Sequence, residues 1–198
     1  MKSNCKDDFQ HIGNLDINSC ELTNVEGFIN APYINGGVKR IHIGEPTLHV
    51  KNEGINSRIK RMIDAGYTSN EHFIEFNDQF EDIAKTLSDK YSLPYYHFCA
   101  IIVPAGQCMP THPDTYAYLM KLMKRDNPNV EYDLATQGKR YMTFLTDWEQ
   151  GQSFGAGSEI KWNWEIGDIF EWGFKYPHWC SNAGMQPMMF FEITGVNV

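Results

Sequence analysis

Long hydrophobic runs and clusters of basic residues are both missing from this sequence. No stretch approaches the roughly 18 consecutive apolar residues that a membrane-spanning helix needs, so no membrane association is expected. The N-terminal segment is polar and lacks the apolar core of a signal peptide. The 17 Lys and Arg residues against 25 Asp and Glu residues give a net charge of −8, which disfavours binding to nucleic acid or to an anionic membrane. We therefore expect a cytoplasmic protein whose substrate is a small molecule or a peptide.

Cysteines in metal-binding or disulfide-forming patterns are also missing. The chain has 5 cysteines, an odd number, and no two are spaced as Cys-x-x-Cys, which argues against a disulfide framework and against a zinc finger. Reduced and mostly buried thiols are the expectation. Neither a Gly-x-Gly-x-x-Gly loop nor a P-loop occurs, so nothing indicates nucleotide binding.

The first half of the chain contains one strong helical pattern. Apolar residues recur at three- and four-residue steps from Phe73 to Tyr91, which predicts a long amphipathic helix near residues 70–92, ended by Pro94. Upstream, weak alternation on both sides of Gly44-Glu45-Pro46 indicates irregular structure with a hairpin.

The second half is rich in short β-type segments. Strands are predicted at 95–103, 141–145, 160–166, 169–174 and 188–194, and a helix is favoured at 116–125. Ile160, Trp162 and Trp164 alternate with polar neighbours, which predicts one buried face for strand 160–166. The pattern as a whole predicts one α+β domain that is mainly β, a sandwich or barrel with flanking helices.

The most informative stretch is His112-Pro113-Asp114. Residues i and i+2 of an extended segment point to the same side, so His112 and Asp114 present an imidazole and a carboxylate to one point. Two histidines and one carboxylate form the triad that binds Fe(II) and leaves open positions, and His178 is the candidate for the third ligand. In the alternative interpretation, Asp114 caps the following helix and His112 is an ordinary hydrogen-bonded residue.

The order of several motifs resembles the iron(II)/2-oxoglutarate-dependent oxygenases, in particular the short single-domain kind of bacteria and phages. The matching pieces are Pro-Thr-His112-Pro-Asp114, Arg140-Tyr-Met-Thr-Phe-Leu-Thr-Asp-Trp148, Trp164-Glu-Ile-Gly167-Asp168, Pro177-His178-Trp-Cys-Ser-Asn182 and Phe191-Glu-Ile-Thr-Gly195. They cover about residues 95–197, half of the chain.

The resemblance implies a fold, a metal site and an activity. The fold would be a double-stranded β-helix (a jelly-roll or cupin-like barrel), a single oxygenase domain over 1–198 with a support region at 1–94 and the barrel core at 95–198. Its catalytic metal ligands would be His112, Asp114 and His178, its cofactors Fe(II), 2-oxoglutarate and O2, and its reaction the hydroxylation of an unidentified substrate. A carboxylate at Asp114 implies hydroxylation or a related oxidation and not halogenation. Asn182 would orient a ligand or the cosubstrate, or hold a turn, and Asp168 is interpreted as a turn residue.

One departure from the family concerns the cosubstrate. The family usually has an Arg about ten residues after the distal His to pair with the far carboxylate of 2-oxoglutarate, but Met188 stands here, and no Lys or Arg occurs in 179–198. Arg140 is the favoured substitute because it shares strand parity with Met142 and Phe144, a pair expected to face inward. Lys139 and Lys161 are weaker candidates. A solvated strand-end cation is the other interpretation of Arg140.

Two further functions remain open on the sequence. The missing Arg favours an iron enzyme of cupin-like fold that does not use 2-oxoglutarate. The Trp-rich C-terminal half and the aromatic helix are also compatible with a non-catalytic jelly-roll module that binds a ligand or another protein. The oligomeric state and the substrate do not follow from the sequence.

Overall fold

The computed structural model describes residues 9–17, 39–41, 72–75, 80–114 and 116–197, which form eleven strands and three helices. The strands are β1 (Gln10–Asn14), β2 (Lys39–Ile41), β3 (His72–Glu75), β4 (Tyr95–Val103), β5 (Gln107–His112), β6 (Gly138–Phe144), β7 (Gln152–Ala156), β8 (Glu159–Lys161), β9 (Asp168–Gly173), β10 (His178–Asn182) and β11 (Met188–Val196). The helices are α1 (Glu81–Lys90), α2 (Ala117–Asp126) and α3 (Leu134–Gln137).

The strands form two facing sheets. The large sheet has seven strands in the order β1-β9-β6-β11-β4-β3-β2, and the small sheet has four in the order β5-β10-β7-β8. Among the described strands no pairing joins one sheet to the other, so they form an open sandwich and not a closed barrel.

The connectivity is that of a ribbon wound between the sheets. Strands β7 and β8 form an antiparallel hairpin, and outward from it β6 pairs with β9, β5 with β10 and β4 with β11, all antiparallel. Successive pairs alternate between the small and the large sheet. One long antiparallel ribbon is therefore coiled into a double-stranded β-helix, which confirms the fold class expected from the sequence.

Alternation of side chains along the strands produces two cores. On β11, Met188 and Phe190 face the interior between the sheets, where they join residues of the small sheet such as Phe154. The intervening Met189 and Phe191 face the other way and pack in a second core. Because both faces are covered, every residue of β11 is buried.

Helix α1 supplies the cover for the outer face of the large sheet. Its buried residues include Ile83, Ala84 and Leu87, which pack in the same core as Phe191 of β11. Helices α2 and α3 contribute to a smaller cluster at one end of the sandwich, with Leu119 and Leu134 as members. In the described part of the chain, no helix has both the length and the apolar character needed to cross a membrane.

Several predicted elements are confirmed. Strands at 95–103, 141–145, 169–174 and 188–194 correspond to β4, β6, β9 and β11, and the favoured helix at 116–125 corresponds to α2. The hairpin expected around Gly44-Glu45-Pro46 lies mostly outside the described residues. What is described of that region is β2, which pairs with β3.

The single helix predicted near residues 70–92 is wrong in its first part. Residues 72–75 form strand β3, which pairs with β2 on one side and β4 on the other, and α1 begins only at Glu81. Aromatic and β-branched residues fit a strand as well as a helix over such a short stretch. Pairing with β4 decides between them, because β4 would otherwise have an unpaired edge.

The strand predicted over 160–166 is confirmed only for residues 160 and 161 and is wrong beyond them. Strand β8 ends at Lys161, and Asn163 has φ +60, a left-handed conformation that interrupts extended structure. Ile160 and Trp162 are exposed at 47% and 63%, whereas Trp164 is buried and stacks on Phe144 with ring centroids 3.9 Å apart. The alternation in the sequence therefore reflects one buried aromatic anchor and not a buried strand face.

Candidate metal centre

The two histidines of the predicted triad meet at the ends of paired strands. His112 is the last residue of β5 and His178 the first of β10, and the antiparallel register places them directly opposite each other. Their ring centroids are 4.4 Å apart. Pro113 and Pro177 flank the pair, and since proline has no N–H to donate, both strands end at the site.

Backbone carbonyls orient both imidazole rings. Nδ1 of His112 lies 2.8 Å from the carbonyl oxygen of Pro110, and Nδ1 of His178 lies 3.1 Å from that of Tyr176. A carbonyl only accepts, so in each ring Nδ1 carries the proton and donates it. This tautomer leaves the lone pair on Nε2, the nitrogen that points to the common centre.

Asp114 completes the cluster. Its Oδ1 lies 3.8 Å from Nε2 of His112, and its Oδ2 lies 3.3 Å from Nε2 of His178. One donor atom from each of the three residues lies within 4.8 Å of the other two. The histidine side chains are buried, whereas that of Asp114 is 31% exposed and forms the open side of the cluster.

The position of Asp114 rules out the alternative interpretation in which it caps the following helix. Helix α2 begins at Ala117 after Tyr116, and no side chain caps its first turn. Asp114 therefore does not act as a helix cap, and its carboxylate faces the histidines.

Arg140 reaches the same point from the opposite sheet. It lies on β6 with Met142 and Phe144, and all three are buried, as the strand parity predicted. Its Nη1 contacts Oδ2 of Asp114 and lies 3.5 Å from Nε2 of His178. Arg140 is therefore not a solvated strand-end cation.

Glu192 is the residue of the site that the sequence analysis did not single out. It lies on β11, buried at 5% exposure, and its Oε2 accepts a hydrogen bond from Nη1 of Arg140 at 2.9 Å. In the register of β6 and β11, Thr194 is opposite Arg140 and Glu192 opposite Met142, so the ion pair is a diagonal contact on the inner face. The sequence offered one signal for Glu192: it is a single charged residue at a position that alternates with Met188 and Phe190, which face inward.

These contacts fix the charges in the site. Burial of the Asp114 carboxyl would by itself raise its pKa, but the Arg140 guanidinium opposes burial and the pKa lies well below its usual range. Burial opposes the charge of Arg140, yet Asp114 and Glu192 raise its pKa above the ordinary value. Both groups are therefore ionised at neutral pH.

Aromatic side chains enclose the cluster. The rings of Trp172 and Phe154 lie 5.4 and 6.4 Å from the ring of His178. The guanidinium of Arg140 lies 5.7 Å from the ring of Tyr116 and 5.9 Å from that of Trp172. Burial raises the pKa of Tyr116 to about 12, so this wall contributes no further anion near neutral pH.

Asn182 lies at the other end of β10 from His178. Its Nδ2 donates to the carbonyl oxygens of Val103 and Gln186, both at 2.8 Å, and its Oδ1 accepts from N–H of Gly184 at 3.1 Å. These contacts agree with the turn-holding alternative, and they leave a role for Asn182 in orienting a ligand as a prediction only.

Asp168 is a structural residue, as expected. Its Oδ2 accepts from N–H of Glu165 at 3.1 Å, and its Oδ1 lies 3.0 Å from Nε2 of His11. It therefore stabilises the turn into β9 and joins the N-terminal strand to it.

A serine motif in β7 does not form a hydrolase site. Residues 151–155 read Gly-Gln-Ser-Phe-Gly, which matches the Gly-x-Ser-x-Gly pattern of hydrolase nucleophiles. That chemistry requires a sharp turn from a strand into a helix. Ser153 instead lies inside β7, paired with Ser181 of β10.

Comparison with known proteins yields similarity to solved structures alone. No protein-family model matches the chain, and no curated protein matches it. A double-stranded β-helix protein from Klebsiella pneumoniae is 14% identical, with a TM-score of 0.34 over 51% of this chain and 67% of that one. A predicted oxalate decarboxylase from Thermotoga maritima is 11% identical, with a TM-score of 0.39 over 64% and 82%. A cupin protein from Bacteroides fragilis is 16% identical, with a TM-score of 0.36 over 56% and 73%.

Proposed function

We propose that this protein is a non-haem iron enzyme of the oxygenase type, with Fe(II) held by His112, Asp114 and His178. The observation that carries the proposal is the convergence of two Nε2 atoms and one carboxylate within 4.8 Å at one end of the sandwich. Two neutral imidazoles and one carboxylate are the donor set of the triad that binds Fe(II) on one face and leaves the other positions open.

The residues present fit such an ion. The carbonyls of Pro110 and Tyr176 hold both imidazoles in the tautomer that a metal requires. The carboxyl of Asp114 is already ionised, so no proton has to leave before it can bind a cation. When bound, Fe(II) would supply the activation of O2 for the oxidation of a substrate C–H bond.

The surrounding residues would position the substrate and exclude water. Trp172 and Phe154 pack beside His178 and keep its ring dry on the inner side. The partly exposed side chain of Asp114 marks the side from which a substrate would approach. An enclosed, largely aromatic wall around one open side suits oxidation chemistry, in which stray water would be a competing reactant.

We propose 2-oxoglutarate as the cosubstrate on the basis of the motif order, with Arg140 as the cation for its far carboxylate.

One observation favours the alternative of an iron enzyme that does not use 2-oxoglutarate. The positive charge of Arg140 is already matched by Glu192 and Asp114, and its Nη1 lies 3.5 Å from a ligand nitrogen. A cation so close to the metal ligands is poorly placed for the end of a diacid that lies away from the metal.

The experiment is iron loading under anaerobic conditions, followed by a test for conversion of 2-oxoglutarate to succinate after addition of O2. We expect one iron per chain in the wild type and loss of iron in His178→Ala. His11→Ala is the matched control, because His11 is half exposed and lies on β1, away from the triad. Retention of one iron per chain by His178→Ala would show that the triad is misassigned.

The same assay separates the three candidate functions. Iron binding with succinate release supports a 2-oxoglutarate-dependent oxygenase. Iron binding without consumption of 2-oxoglutarate supports the iron enzyme that does not use it. If neither iron binding nor consumption of 2-oxoglutarate is observed, the result supports a non-catalytic jelly-roll module.

A further inference from the structure

Arg140 contacts two carboxylates and a metal-ligating nitrogen at once. Its Nη1 lies against Oδ2 of Asp114, 2.9 Å from Oε2 of Glu192 and 3.5 Å from Nε2 of His178. The side chains of Arg140 and Glu192 are 9% and 5% exposed, so water screens this contact very little. Two of the three atoms around Nη1 belong to residues of the proposed metal triad.

A guanidinium in this position competes with a metal. Oδ2 of Asp114 and Nε2 of His178 carry the lone pairs that a cation would take, and Nη1 already faces both of them. A second cation at the same place is repelled by the first, and the repulsion is strong in a buried site. A divalent metal can therefore take Oδ2 of Asp114, the oxygen that faces His178, only if Arg140 releases it.

The structure contains a second partner that can receive Arg140. Nε of Arg140 and Oε1 of Glu192 are buried and have no hydrogen-bond partner, although the two side chains already share one bond through Nη1 and Oε2. A planar guanidinium and a carboxylate can form two parallel hydrogen bonds. A rotation of the guanidinium that presents Nε and Nη2 to the two oxygens of Glu192 would give both unused atoms a partner and would withdraw Nη1 from Asp114.

We propose that Arg140 and Glu192 form an exchange pair that controls metal binding: Arg140 neutralises Asp114 in the metal-free protein and is transferred to Glu192 when a divalent metal takes the carboxylate. The inference rests on the proposed metal site. Arg140 and Glu192 are then positioning residues with opposite effects on metal affinity. Arg140 competes with the metal for Asp114, and Glu192 binds Arg140 and so removes this competition.

The test is Co²⁺ binding measured by titration calorimetry and by the visible absorption of the bound ion, with no turnover involved. Arg140→Met should bind Co²⁺ roughly tenfold or more tightly than wild type, and Glu192→Gln roughly tenfold more weakly, since its Arg140 has only Asp114 left as an anion. The matched control is Lys139→Met, which removes a cation from the neighbouring position of β6, where Lys139 pairs with Glu171. Its affinity should stay within about twofold of wild type.

A double variant guards against misfolding. Arg140→Met alone leaves Glu192 as an unpaired buried charge, which is strongly destabilising, whereas Arg140→Met with Glu192→Gln removes both charges together. The double variant should also bind Co²⁺ more tightly than wild type.

The outcomes distinguish the inference from the proposed function. If the wild type binds no Co²⁺, the metal site itself is wrong. If the wild type binds Co²⁺ and neither Arg140→Met nor the double variant binds it more tightly, the exchange pair is wrong. Unchanged Co²⁺ affinity with loss of 2-oxoglutarate binding in Arg140→Met would also overturn it and assign Arg140 to the cosubstrate.

Discussion

The imidazole of His97 lies in the same row of the large sheet as Arg140. Thr194 of β11 is opposite His97 on one side and opposite Arg140 on the other. Burial and, to a smaller extent, the charge of Arg140 lower the pKa of His97 from 6.5 to about 4, and Asp114 partly offsets them. His97 is therefore neutral in the folded protein at pH 7.

A pH dependence of stability follows from this imidazole. Between pH 6.5 and about 4 the unfolded chain binds a proton at His97 that the folded chain does not, so the free energy of unfolding rises with pH across this window and is lost as the pH falls. We expect wild type to gain about 2 kcal/mol more than His97→Gln between pH 4.5 and pH 7. Urea unfolding with a chelator present measures both proteins, and parallel pH profiles would contradict the prediction.

At the level of single residues, strand parity could be used to predict much of the candidate site. The spacing of His112 and Asp114 and the inward parity of Arg140 agree with the observed geometry. Glu192 was not predicted, because a single carboxylate within an apolar strand has no visible partner until β6 and β11 are paired. The buried ion pair of Arg140 with Glu192 could therefore not be derived from the sequence.

Two glycines in turns next to strands allow the cost of steric overlap to be separated from the cost of a positive φ. Gly167 and Gly106 both have positive φ, +90 and +76, which L-residues adopt only with strain. A Cβ at Gly167 would lie 2.2 Å from the carbonyl oxygen of Leu15, whereas a Cβ at Gly106 would meet nothing within 4 Å. The two positions therefore differ in steric overlap and not in the sign of φ.

We expect Gly106→Ala to lower the free energy of unfolding by about 1 kcal/mol and Gly167→Ala by roughly 3 kcal/mol or more. The additional loss at Gly167 comes from the overlap with the backbone of Leu15, which cannot rotate away. Chemical denaturation of the two variants beside wild type gives the comparison. If both variants lost the same free energy of unfolding, residues 9–17 would be able to move away from the new side chain, and the prediction would be wrong.

At the level of elements, the sequence predicted the long, strongly patterned strands and failed where local and tertiary preferences differ. Strands β4 and β11 have β-type residues over their whole length and were predicted. Strand β3 was predicted as helix because its four residues also fit the helical period, and only its neighbours β2 and β4 select the extended form. Periodicity alone does not contain that information.

For the whole molecule, a metal at the triad would tie together distant parts of the chain. His112 and His178 are 66 residues apart in the sequence (178 − 112). They lie on paired strands, and β6 to β9 come between these strands in the chain. A ligand that binds only the folded form stabilises it, by about 2.7 kcal/mol at a hundredfold excess over Kd.

We therefore expect Co²⁺ at that excess to raise the Tm by roughly 5–10 °C, and a chelator to reverse the rise. Differential scanning calorimetry provides the measurement. The rise should be absent in His178→Ala and present in His11→Ala. A rise of the same size in both variants would place the stabilising ion somewhere other than the triad.

The nested pairing of the whole molecule was accessible from the sequence only through the resemblance of its motifs. Composition and periodicity indicated a mainly β sandwich or barrel, and they did not show that β4 pairs with β11 or β5 with β10. Such partners lie far apart in the sequence, and their register depends on which faces the other strands have already buried.

The place of β11 in this pairing affects how the protein is made in the cell. Among the described strands it comes last in the chain order, and it lies in the middle of the large sheet, between β4 and β6. The edges of β4 and β6 that pair with β11 are therefore unpaired until β11 has been synthesised, and unpaired edges of this kind favour contacts with other chains. The same strand carries Glu192, so the buried ion pair of Arg140 with Glu192 forms only after synthesis has reached β11.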